Sequence, residues 1–121
     1  MSTMVPSPNF TPAELTHFTN LQSLFDSLNT ASHDPATPPA ARELLLPRIS
    51  TVANEIQEMN EVAFGRDTVD LKAEADLLRP ANTDLKQLKT QLAGYAGKTA
   101  ALQKVADDLD QALASALALG L

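Results

Sequence analysis

The sequence predicts an all-α fold: an antiparallel helical bundle of three to four helices with a long C-terminal heptad, coiled-coil-like helix. Three observations carry this expectation. Apolar residues recur at spacings of three and four along most of the chain. Aromatic residues are 4% of the total, with no Trp and one Tyr, so a core must be built from Leu, Ala, Val and Ile. Pro and small hydroxyl residues stand where helices open and Gly where they close. With 121 residues there is room for one domain with a modest core.

Residues 1–9, with two of the eight prolines and no charge, are expected to be a flexible leader before a single domain over 10–121. The first helix is expected over about 12–28. Its start is written in FTPAEL (10–15): Thr11 as cap, Pro12 at the first helical position, Glu14 reaching back, and Phe10 and Leu15 as a staple. Leu15, Phe18, Leu21, Phe25 and Leu28 form its stripe, and Asn29 is the expected stop.

A loop of Pro, Ser, Asn and Asp follows (29–39), with Thr37 before Pro38 repeating the cap-then-proline signal. The second helix, about 38–64, carries Leu45, Ile49, Val52, Ile56, Met59 and Ala63. Pro47 falls inside it. Either the helix kinks there or a short turn (38–46) precedes a main helix (47–64), the preferred reading, because an interior proline costs about 3 kcal/mol. Gly65 is the expected stop.

The third helix is expected over 68–79, capped by Asp67 with Asp70 three residues on, and ended or bent at Pro80. Thr83 then restarts the chain into the long helix, 83–119. Its seam is Leu85, Leu88, Leu92, Tyr95, Thr99, Leu102, Ala106, Leu109, Leu113 and Ala116, alternating threes and fours without a break. Gly94 and Gly97 weaken that helix by about 1 kcal/mol each. Because the phase runs on across both, the expectation is a tolerated soft spot, with a hinge as the alternative.

Little in the sequence suggests catalysis. There is no Cys, hence no disulfide and no thiolate metal site. His17 and His33 lack ligand spacing. Asp107, Asp108 and Asp110 do not fit a calcium loop, since its sixth and twelfth positions lack the Gly and Glu it needs. These acids, and the ridge Glu55, Glu58 and Glu61, are expected to be solvated faces, and His17 and His33 surface residues. Neither a catalytic residue nor a cofactor, metal or small-molecule substrate is expected.

The net charge of −6 argues against nucleic-acid binding. The N-terminus has no signal-like apolar region, and no apolar run is long enough to span a bilayer, so a soluble intracellular protein is expected. Between Leu85 and Ala106 stand four lysines and no acid. The acidic ridge of helix 2 is expected to oppose this basic window.

The last eleven residues, QALASALALGL, carry no charge. A surface helix normally shows charge on its outer face. The long helix, roughly 55 Å at 1.5 Å per residue, should also overhang its shorter neighbours. Leu102, Leu109, Leu113, Leu117 and Leu119 are therefore expected to bind a protein partner, another copy or a different chain. The function expected is a non-enzymatic scaffold or subunit of a larger assembly. The alternative is an adaptor that holds a partner helix in an interhelical groove.

Overall fold

The computed structural model describes residues 10–64 and 71–121. It holds four helices, α1 (Pro12–His33), α2 (Pro39–Phe64), α3 (Leu71–Leu92) and α4 (Ala100–Ala118), and no strand among the described residues. The expected leader, the Gly65 stop and the Asp67–Asp70 cap lie outside the described residues.

The start of α1 follows the local chemistry of FTPAEL. The Thr11 amide donates to Glu14 Oε1 at 2.8 Å, and the Glu14 amide donates to Thr11 Oγ1 at 3.2 Å, a reciprocal capping box. The staple differs from expectation. Phe10 packs on Phe18, with ring centroids 5.2 Å apart, while Leu15 is 43% exposed.

α1 passes Asn29 and ends at His33, because its last turn is held from beyond. Thr37 was the expected cap of α2; instead its hydroxyl donates backwards to the Ala31 carbonyl at 2.6 Å. Arg42 donates to the carbonyls of Ser32 and Asp34, at 2.9 and 3.0 Å. A guanidinium over orphan carbonyls is favourable both as hydrogen bonding and against the helix dipole.

Neither Pro47 nor Pro80 breaks its helix: α2 and α3 are each continuous. Both prolines face outward. There, water can satisfy the carbonyl that lost its donor, while the buried face runs on uninterrupted. That face is Ala41, Leu45, Arg48, Val52, Glu55, Ile56 and Met59 in α2, and Leu78, Asn82, Leu85, Leu88 and Leu92 in α3. The cost of proline is thereby moved to the solvent side.

The expected long helix is two helices. The chain turns through 93–99, where Tyr95 and Ala96 donate to the Leu92 carbonyl and Lys98 to that of Tyr95. Thr99, expected in the seam, is instead the N-cap of α4, accepting from the Leu102 amide at 3.0 Å. Each glycine is individually tolerable, but two within four residues, followed by a good cap at Thr99, favour a turn. Folding back also lets α4 cover core that an overhanging helix would leave bare. At its other end α4 closes on Gly120, at φ +81°, with Leu121 donating to Ala116 and Gly120 to Leu117.

The helices form a ring in chain order, α1 against α2, α2 against α3, α3 against α4, and α4 back against α1. Neighbours run antiparallel, as short connections require. Among the described residues α2 meets α3, which carries Lys86 and Lys89 of the basic window, but not α4, and Glu55 of the acidic ridge pairs with His17 rather than with a lysine. Lys89 pairs instead with Asp110 across α3–α4 at 2.9 Å, and Arg48 with Asp84 across α2–α3 at 3.3 Å.

Candidate functional site

Three polar residues meet inside the bundle near the end where α1 begins and α4 finishes. His17 lies two turns into α1, Glu55 on the second half of α2, and Ser115 in the last turn of α4. His17 Nδ1 stands 2.7 Å from Ser115 Oγ, and its Nε2 stands 2.9 Å from Glu55 Oε2. All three are buried, with 1%, 1% and 8% of their surface exposed for His17, Glu55 and Ser115.

The wiring follows from the donors. Ser115 Oγ donates to the Ala112 carbonyl at 3.0 Å, so it accepts from His17 Nδ1–H. The other ring nitrogen and Glu55 Oε2 then share a second proton. The second Glu55 oxygen, Oε1, is buried without a hydrogen-bond partner. Such an orphan costs on the order of 1–3 kcal/mol and marks the network as a place where polarity was kept despite its cost.

By residue type this is a hydroxyl, a base and an acid. By geometry it differs from an activated nucleophile. There the hydroxyl gives its proton to the imidazole, which is oriented by a carboxylate on its far nitrogen. In this protein the hydroxyl proton points at a helix carbonyl and the imidazole donates to the hydroxyl. The described clefts do not reach the set from its serine side. The α1–α4 cleft, 360 Å³, is lined by Ser23, Asp26, Ser27, Thr30, Ala101 and Lys104. The α2–α3 cleft, 340 Å³, has Glu55 in its wall but neither His17 nor Ser115. What the network does as built is join α1, α2 and α4 in one register.

The sequence reading missed all three. The expectation puts His17 and Glu55 on the surface and does not single out Ser115. A signal was present: His17 lies four before Leu21, Glu55 three after Val52 and four before Met59, and Ser115 three after Ala112, each on a buried face. Asp108 was likewise expected to be solvated. It is 5% exposed, and both its oxygens accept from Lys104, at 2.9 and 2.8 Å. His33 is exposed as expected, but on the last turn of α1 rather than in a loop.

The five leucines expected to bind a partner do not share one fate. Leu102 and Leu109 are buried in the protein's own core. Leu113 and Leu119 are half-buried against it. Leu117 alone of the five faces outward, 70% exposed. Much of the apolar character of α4 is therefore covered by α1 and α3, because the buried set Leu102, Val105, Leu109, Ala112 and Ala116 makes a wider face than the seam predicted.

No group of His, Asp or Glu that could hold a metal ion occurs among the described residues. No helix among them is long and apolar enough to cross a membrane. No family model matches the chain, and no curated protein or solved structure matches it either.

Proposed function

We propose that the protein is a non-catalytic helical bundle that works by contact with other chains, as a small subunit of a larger assembly. The observation that supports this is Leu117, exposed near the end of a chain whose last eleven residues carry no charge. Leu113 and Leu119 flank it, half covered by the bundle. Burying one such leucine contributes about 1.5–3 kcal/mol before association costs, so Leu117 serves as one anchor of a larger contact. The acid–base network supports the same reading, since its hydroxyl is turned away from nucleophilic use. The adaptor alternative gains nothing from the clefts. The clefts lined by described residues, at 170 to 360 Å³, lie at or below the small end of ligand pockets.

The test is co-purification from the native source with the wild-type chain and with Leu117→Asp. The proposal expects a stoichiometric partner that the variant loses, with the thermal melt unchanged. The same partners in the same yield with both proteins would refute it.

A further inference from the structure

The 93–99 turn joins two helices whose facing residues keep one helical phase across it. On α3 these are Leu85, Leu88 and Leu92, and on α4 Ala106, Leu109 and Leu113, all on a single 3.5-residue repeat. The cleft between α3 and α4, 170 Å³, has Leu92 on one wall and Ala106 and Leu109 on the other, so this register is the one through which the two helices meet. Residues 93–99 thus contain nothing that would rotate the stripe out of line if they became helical.

The first half of the turn is close to helical, while Thr99 at its end is extended. Two of its hydrogen bonds run from Tyr95 and Ala96 to Leu92, three and four residues back. Neither Gly94 nor Gly97 has a positive φ. A Cβ added at either glycine meets no atom within 4 Å. The glycines are therefore not required by the turn; their effect is to keep it from continuing as helix.

From these observations we infer that a second copy of this chain is a partner, through exchange of α4. With 93–99 straightened, α3 and α4 become one helix of roughly 70 Å. Its α4 half then takes, in the other copy, the place that copy's own α4 holds in the closed monomer. Each α4 makes the same contacts with α1 and α3 as before, including Ser115 with His17 and Asp110 with Lys89. The new contact is at the dyad, where Leu92, Tyr95, Thr99 and Leu102 of two antiparallel helices face one another. Tyr95, half-buried in the monomer, becomes central there. Exchange of an identical element is a low-cost route to a dimer because almost nothing new has to be recognised. This inference is independent of which chain meets Leu117.

The experiment uses the full chain with Gly94→Ala and Gly97→Ala together. Each replacement favours the helical form about four- to five-fold, and four sites straighten per dimer, so the dimerisation constant should rise by roughly several hundred-fold. Because the protein has no Cys, a unique pair can report the exchange: Asn20→Cys with Gln111→Cys, at a point where the Asn20 amide donates to the Gln111 carbonyl at 3.2 Å. Oxidation, or a short bismaleimide, should then give covalent dimers on a denaturing gel from the dimer fraction. A control with four Gly and Ser residues inserted after Gly97 should remain monomeric and cross-link only within the chain. An alanine variant that stays monomeric at every concentration by light scattering, or a dimer whose cross-links stay within single chains, would overturn the inference.

Discussion

His17 Nε2 and Glu55 Oε2 lie 2.9 Å apart and 38 residues apart in sequence, with both side chains sealed from water. The contact fixes α1 against α2 at one height, and Ser115 extends it to α4. Removing one member of such a pair leaves a buried polar atom of the other unpaired, a loss of about 1–3 kcal/mol. Glu55→Ala should therefore bring down the urea midpoint sharply. The combined change His17→Leu, Glu55→Met and Ser115→Ala, which removes every polar member, should recover much of the loss. A single variant as stable as wild type would show that the network contributes little.

Thr11→Ala removes the hydroxyl that accepts from the Glu14 amide and should cost about 0.5–2 kcal/mol in chemical denaturation. No measurable change would mean that the start of α1 is fixed by the packing of Phe10 on Phe18 alone.

Leu88 and Leu102 are fully buried, one on α3 and one on α4. Leu88→Asp or Leu102→Asp places an unpaired charge in the core and should abolish the cooperative thermal transition. Lys86→Ala, on the outer face, should stay within about 0.5 kcal/mol of wild type. Similar melts for all three proteins would contradict the assignment of the α3 and α4 faces.

The helical class and the start of α1 were legible because they rest on local chemistry. A capping box needs only four residues, and the three-and-four spacing of apolar residues survives any arrangement of the helices. Connections were less legible. At Pro47 and Pro80 a kink or break is expected because proline's cost is assigned without knowing which way each residue faces; both face water. The turn at 93–99 was hidden for the opposite reason. The apolar register continues across it, so periodicity had no way to distinguish one long helix from two that fold back along the same stripe. Tertiary burial decides between them, and periodicity does not measure it.

The polar site was hidden by residue type. His17 and Glu55 occupy core positions, but a reading that allots charged and polar residues to the surface discards them at the first step. Leu15 enters the expected α1 stripe for the converse reason. Being apolar and suitably spaced, it displaced Glu14 and His17, which hold the buried positions.

The central claim is that the chain doubles back at 93–99 to close a four-helix ring. Spin labels at Lys86→Cys and Ala114→Cys, both exposed, test it by a pulsed dipolar distance in a dilute sample shown by light scattering to be monomeric. The closed ring predicts a distance below about 25 Å, from adjacent helix axes 8–10 Å apart plus two label arms. A distance near 42 Å, the length of 28 residues of continuous helix at about 1.5 Å each, would contradict it.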